Sequence, residues 1–259
     1  MQAKLEPAEL AYILHTLEAK AVVGVDNAGL FPDETVARDA LLKRGFTQLQ
    51  EHGWFVADNG QISANPRLML MVAVMANPAY VLTATHFSAE SQQTITGYLA
   101  DELVVEQFLT PDGSYQLAQL ESATVLMEHF TAAFSLSAGD VPAWPSFIFD
   151  SRTFETTLQQ ARAGDFAALN QALSANNLSA AVVEKISQSI CQLKSVGKVE
   201  GAAIQAQNLR AWAEFAILRD DSNRHWLAYT DAQENTIELL PASAEQFLQQ
   251  FQSLLDRLG

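Results

Sequence analysis

Two stretches of this chain carry the same pattern of residues. Residues 104–134 and 225–255 each contain a strand-like apolar run, a polar turn, a second short apolar run and an amphipathic helical stretch. The two stretches align without a gap, so that Phe130 of the first matches Phe251 of the second. Two copies that lie about half a chain length apart predict two similar lobes related by a pseudo-twofold axis rather than a string of small repeats.

The remaining sequence extends this pattern in both halves. Strand-like runs joined by short polar turns lie at residues 80–87, 94–99, 103–109 and 115–120. In the second half, three helical stretches precede strand-like runs at 199–207, 212–219, 226–230 and 236–240. Because parallel pairing needs crossovers of a dozen residues or more, these short turns favour antiparallel strands. We predict an α+β fold in which both halves build one central antiparallel sheet that helices flank.

The N-terminal region has the outline of a winged helix. A helical stretch at 8–17 is followed by a short strand at 21–25, a helix from Pro32 to about Gly53, and a hairpin at 54–63. DNA-binding winged helices present Arg and Lys on their second helix. Here acidic residues outnumber basic residues on that helix. We therefore predict a scaffold or protein-binding role for this region and no nucleic-acid partner.

A linker separates the two halves of the chain. Residues 137–145 hold one glycine and two prolines, a composition that interrupts regular secondary structure. We predict an N-terminal lobe at 1–136, a junction at 137–148 and a C-terminal lobe at 149–259.

The charge of the chain is strongly negative and unevenly distributed. The formal net charge is −15, and no Lys or Arg occurs between Arg67 and Arg152. Such a field repels phosphate backbones and anionic membrane surfaces and favours basic or neutral partners. The alternative is that these carboxylates simply form a solvated surface.

Three features of the sequence predict a cytoplasmic protein that does not enter a membrane. The first residues have neither a basic nor an apolar segment of the kind found in signal peptides. The longest apolar runs, such as 68–76, have about half the length of a membrane span. Cys191 is the only cysteine, so the chain has no internal disulfide, as is usual in a reducing compartment.

The sequence contains no recognisable catalytic motif. No two of its five histidines have the i,i+4 spacing of a zinc-binding helix, and no glycine-rich loop opens a helix after a strand. The run from Asp220 to Asn223 lacks the glycine and distal glutamate of a calcium loop, and we interpret it as a hairpin turn. We predict a non-enzymatic protein without catalytic, metal-binding or cofactor-binding residues and without a cofactor.

An aromatic segment next to the linker is the candidate protein-binding site. Trp144, Phe147 and Phe149 lie beside two prolines, and exposed aromatic residues of this kind frequently anchor protein interfaces. The alternative is that the three side chains cap the junction between the two lobes.

The order of elements resembles the EspG family, the cytoplasmic chaperones of type VII (ESX) secretion. The similarity lies in the helix, strand and helix up to the 45–62 hairpin, in the 80–120 meander with its helix, and in the closing strands and helix from 216 onward. The resemblance implies an α+β pseudo-twofold fold and a non-enzymatic role. It also implies a helical, secreted partner whose apolar tip is bound by sheet loops and helices.

Two functions from different classes follow. The first is an EspG-like, secretion-chaperone type of protein that binds a helical partner protein. The second is a small-molecule-binding or regulatory sensor, which a closed apolar cavity of a few hundred Å³ would favour. The repeated lobes also allow a homodimer, because an edge strand can pair with its own copy.

Overall fold

The computed structural model describes residues 1–58, 61–88, 92–136, 144–174, 177–206, 208–231 and 234–258. In the first half of the chain, the elements are β1 Gln2–Leu5, α1 Pro7–Thr16, α2 Asn27–Leu30, α3 Thr35–Glu51, β2 Phe55–Asp58, β3 Gln61–Ala64, α4 Pro66–Ala76, β4 Tyr80–Phe87, β5 Gln92–Ala100, β6 Leu103–Leu109, β7 Tyr115–Leu120 and α5 Ala123–Ala133. In the second half, they are β8 Phe147–Asp150, α6 Ser151–Arg162, α7 Ala167–Ser174, α8 Ala180–Cys191, β9 Lys194–Gln205, β10 Asn208–Arg219, β11 His225–Asp231, β12 Thr236–Ala242 and α9 Ala244–Leu258.

Both halves build one antiparallel sheet, as predicted. Among the described residues this sheet has ten strands in the order β1-β7-β6-β5-β4-β9-β10-β11-β12-β8. The two halves of this order correspond to each other. Counted inward from the edges, β1, β7, β6, β5 and β4 of the first half match β8, β12, β11, β10 and β9 of the second. The pseudo-twofold axis therefore passes between β4 and β9, which pair antiparallel from Tyr80–Ala203 to His86–Gly197.

The predicted repeat corresponds to β6-β7-α5 in the first lobe and β11-β12-α9 in the second. The strand pairing of the two hairpins differs by one residue from what the gapless alignment predicts. That alignment matches Val104 with His225 and Leu120 with Pro241. Val104 pairs with Leu120 in the first lobe, whereas Trp226 pairs with Pro241 in the second. Because side chains alternate between sheet faces, this shift keeps Leu117 and Leu239 on equivalent buried positions.

The sheet separates two helical layers. On one face, α5 and α9 pack over the centre through a shared cluster that includes Leu126, Phe130 and Phe251. Gly97 and Gly197 allow this close approach, because a Cβ would overlap Leu126 at Gly97, and Phe134 and the Thr85 carbonyl oxygen at Gly197.

The opposite face carries two separate groups of helices. The first group, with α1 and α4, packs on β5–β7 through a cluster that includes Met71, Tyr98 and Leu117. The second group, α6–α8, packs on β8 and β12 through a cluster that includes Trp226 and Leu239. The sheet is thus covered on this face at both ends by different helices.

Two elements predicted from the sequence differ from the structure. The run at 21–25 is not a strand, because the Asn27 amide takes up both the N–H and the carbonyl of Val22, at 2.8 Å each. The first of the three helical stretches predicted for the second half spans 149–163, but the edge strand β8, Phe147–Asp150, occupies its start. That helix begins at Ser151, because the Asp150 carboxylate caps it by accepting from the N–H groups of Arg152 and Thr153.

The N-terminal region contains the predicted helices and the β2–β3 hairpin in the predicted order. The comparison with a winged helix stays a prediction, as does the division into lobes at 1–136 and 149–259. Most of the predicted junction, 137–143, lies outside the described residues. Within the described residues, no helix is long and apolar enough to cross a membrane.

Candidate protein-binding site

The sheet face that carries the two helical groups is open at its centre. Residues directly opposite each other on neighbouring strands share a face. Val81 belongs to the first helical group's cluster and pairs with Ala202, which in turn pairs with Trp212. Further along β10, Ala216 pairs with Ala228, which packs in the second group's cluster. The face between these two pairs therefore lies between the two helical groups.

The exposed and partly exposed residues of this region form the candidate site. We define the central groove by the side chains that this open face presents, which are Thr83, Lys198, Glu200, Ala202, Leu209, Trp212 and Glu214. Trp212 is 52% exposed and Leu209 is 63% exposed. An apolar patch that stays open to water next to polar residues often marks a protein-binding surface.

The length of the β9–β10 hairpin positions both apolar side chains. Each strand has twelve residues, and the hairpin extends beyond the start of β4, where Tyr80 pairs with Ala203. A register shift between Leu209 and Ala211 places Leu209 opposite Ile204. Leu209 and Trp212 therefore lie on the same face, although residues three positions apart on a regular strand point to opposite faces.

The groove has an apolar end and an acidic centre. Lys198 and Glu200 form an ion pair with 2.8 Å between Nζ and Oε2. Glu214, which lies opposite Glu200 on β10, is exposed and makes no ion pair with any described residue. The arrangement suits an apolar segment whose flanking residues are basic or neutral.

The predicted site residues lie elsewhere, in the second lobe. Phe147 and Phe149 are buried, and both point from β8 into the cluster beneath α6–α8. Trp144 is partly buried, with its ring centroid 5.7 Å from that of Trp226. The Arg224 guanidinium lies 4.9 Å from the Trp144 ring centroid, within reach of a cation–π interaction. A protein-binding role for these three residues stays a prediction, and only Trp144 presents part of its surface.

A buried polar network holds this part of the second lobe. The Asp220 carboxylate accepts from Ser189 Oγ at 2.5 Å and from Arg224 Nε at 2.6 Å, and Trp226 Nε1 donates to Ser189 Oγ at 3.1 Å. Burial alone would raise the pKa of Asp220, but the hydrogen bonds from Ser189 and Arg224 outweigh it and the pKa is lowered. The network therefore holds a stable buried anion.

The titratable residues form isolated pairs. The buried Glu9 accepts from His52 at 2.8 Å, and the buried Glu106 accepts from His129 at 2.7 Å when each imidazole nitrogen is protonated. Burial lowers the pKa of His225. Within the described part of the chain, no three His, Cys, Asp or Glu side chains are grouped closely enough to hold a metal ion.

Sequence reasoning missed Trp212 and Leu209 as candidates for binding. The available signal is the alternation on β10, where Arg210, Trp212 and Glu214 alternate with Ala211 and Ala213. A tryptophan that shares its face with charged residues lies on the more polar side of a strand. Its position beside an uncovered region depends on the placement of the helices, which the alternation does not reveal.

Solved structures share this fold, and one of them matches it along the whole chain. It is the Mycobacterium tuberculosis type VII secretion system chaperone EspG5, determined in complex with the PE25-PPE41 dimer. The TM-score is 0.65 at 14% sequence identity, and the similarity covers 100% of this chain and 97% of that chain. No protein-family model and no curated protein matches the sequence. The likeness establishes an EspG-like α+β fold for this chain.

Proposed function

We propose that this chain is a non-enzymatic binding protein of the secretion-chaperone type, which holds a helical partner protein in the central groove. The observation that carries the proposal is the exposed Trp212–Leu209 surface in the gap between two helical groups. Tryptophan is enriched among residues that dominate binding energies. A sheet floor bounded by helices suits the apolar end of a helical protein better than a flat surface does.

Two further observations support the proposal. The fold is shared with EspG5, whose structure contains a bound PE25-PPE41 dimer. The net charge of −15 and the exposed Glu214 favour a partner with basic or neutral residues around its apolar tip. We further propose that binding takes place in the cytoplasm, before the partner is secreted.

The test is affinity capture from the native lysate, read by mass spectrometry, with the tagged wild type and two matched variants. Trp212→Ala removes the apolar centre of the groove, and we expect at least tenfold less of a helical partner on this variant. Leu109→Ala is the control, because Leu109 is 58% exposed on β6 and lies outside the groove. It should recover the partner at the wild-type level.

Unfolding in urea separates binding from folding. Because Trp212 is about half exposed, its truncation should change the free energy of unfolding by about 1 kcal/mol or less. Equal capture by the wild type and by Trp212→Ala would refute the groove as the binding site. A Trp144→Ala variant tests the aromatic segment separately, and loss of the partner on that variant alone would place the site there.

A further inference from the structure

A cavity lies beside the central groove and is built by both halves of the chain. It has a volume of about 350 Å³, and its lining includes Lys20, Val22, Val23, Met75, Ala76 and Ile204. Three of these residues belong to the segment after α1 and two to the end of α4, whereas Ile204 comes from β9. Trp212 and Leu209 do not line it. This volume lies within the usual range for sites that bind small molecules.

The inner surface of the cavity is mostly apolar, and contacts within the protein support it. Val22 and Met75 are buried in the first lobe's core, and Ile204 packs against the same cluster. The Asn27 side chain is fully engaged with the backbone of Val22. The Tyr98 hydroxyl donates to the Val23 carbonyl at 2.6 Å, which fixes the other part of the wall. The cavity walls are therefore held before any ligand binds.

One positive charge lies at this apolar surface. Lys20 is exposed and makes no hydrogen bond or ion pair with any described residue. A lysine ammonium is a compact point charge without the planar fork that arginine offers to phosphate. With a single ammonium and an apolar wall, the lining complements a singly charged anion with a hydrocarbon chain. A volume of 350 Å³ holds about ten methylene-sized groups, if each occupies about as much space as a water molecule.

We propose that this cavity binds a small amphipathic carboxylate, with its acyl chain against Val22, Met75 and Ile204 and its carboxylate at Lys20. The half-exposed Val23 at the cavity becomes covered by the chain of the ligand. The site is a second binding site on the protein, and it does not depend on the proposed partner in the groove.

The experiment is isothermal titration calorimetry of the full chain with sodium octanoate. We expect saturable binding of one octanoate per chain. Lys20→Glu reverses the charge at an exposed position and should weaken binding at least tenfold. Lys185→Glu makes the same change at an exposed lysine of α8 that does not line the cavity, and it should bind within twofold of the wild type.

Two further arms test the chain and the charge of the ligand. Ala21→Trp places a large ring at an exposed position of the lining and should also reduce the affinity at least tenfold. Octylammonium, which has the same chain length and the opposite charge, should bind at least tenfold more weakly than octanoate.

The proposal is overturned if octanoate gives no saturable heat, if Lys20→Glu binds it within twofold of the wild type, or if octylammonium binds equally well. Circular dichroism verifies that each variant is folded. Octanoate binding by Trp212→Ala at the wild-type level would show that the cavity acts independently of the groove, whatever the outcome for the partner protein.

Discussion

At the scale of single residues, two positions are especially sensitive to substitution. One is the buried carboxylate of Asp220 in the second lobe, and the other is Gly197 in the sheet, where there is no room for a side chain. Asp220 has no exposed side-chain surface, yet it stays anionic because Ser189 and Arg224 donate to it. Gly197 is required for a different reason, since any larger residue would strike Phe134 and the β4 backbone. In both cases the cost of a substitution comes from neighbours that cannot move away.

Replacement of the buried acid tests the first case. Asp220→Asn should lower the free energy of unfolding by about 2–3 kcal/mol at pH 7, the value of hydrogen bonds to a buried charged group. Because the folded-state pKa of Asp220 is lowered, its stabilisation is complete above the unfolded pKa of about 4 and is lost as the pH falls toward the folded-state pKa. Urea unfolding at pH 7 and pH 3 should therefore show a smaller difference from the wild type at pH 3.

The adjacent Asp221 provides the control for that measurement. It pairs with Lys194 at 2.8 Å on the surface, where both side chains are more than half exposed. Asp221→Asn should cost about 0.5 kcal/mol or less. Equal losses for the two variants, or a loss for Asp220→Asn that does not depend on pH, would contradict the account of the network.

At the scale of elements, the two edges of the sheet differ in their protection against pairing with another chain. On β1, Lys4 extends to Asp112 at 2.5 Å and places a charge at the edge. On β8, Ile148 points away from the core and is 67% exposed. Charged edges discourage further strand pairing, whereas exposed apolar edges favour it. Among the described residues, β8 pairs with β12 alone.

For the homodimer that the repeated lobes allow, we therefore expect pairing through β8. We predict concentration-dependent dimerisation of the wild type in sedimentation velocity, and its loss in Ile148→Lys, because each subunit would then carry a lysine on its pairing edge strand and charged edges discourage strand pairing. Leu109→Lys is the matched control, since Leu109 is 58% exposed on β6, which has strands on both sides. A wild type that stays monomeric at all concentrations would exclude this dimer, as would an unchanged Ile148→Lys dimer.

At the scale of the whole molecule, the two lobes share one core. Phe130 of α5 and Phe251 of α9 contact each other with ring centroids 5.7 Å apart, and Phe134 lies 6.0 Å from Phe247. The β4–β9 pairing connects the lobes through the sheet as well. Neither lobe can bury its central surface without the other, which indicates that the lobes unfold together.

A double-mutant cycle measures this coupling. Phe130→Ala and Phe251→Ala should each lower the free energy of unfolding by about 3–5 kcal/mol. The double variant should lose less than the sum, because both changes enlarge the same cavity. Phe149→Ala lies in a different cluster, so its effect should add to that of Phe130→Ala within about 0.5 kcal/mol. Two separate unfolding transitions of the wild type would contradict the shared core.

The sequence alone determined the repeat, the α+β class and the antiparallel pairing of consecutive strands, because these depend on local periodicity and on turns that span a few residues. The match of Phe130 with Phe251 already pointed to equivalent helices. The sequence also pointed to the aromatic segment around Phe147, but it did not show that the Phe147 ring is buried. The edge strands β1 and β8 have only four residues each, which is too short for their alternation of apolar and polar residues to be recognised in the sequence.

The tertiary structure decided where the binding surfaces lie. Trp212 is exposed because two groups of helices, distant from it in sequence, leave the centre of one sheet face uncovered. The cavity at Lys20 exists because β9 of the second half packs beside α4 of the first. Both features arise from the way in which separate elements pack on the sheet, and no local pattern records which surfaces such contacts cover and which they leave open.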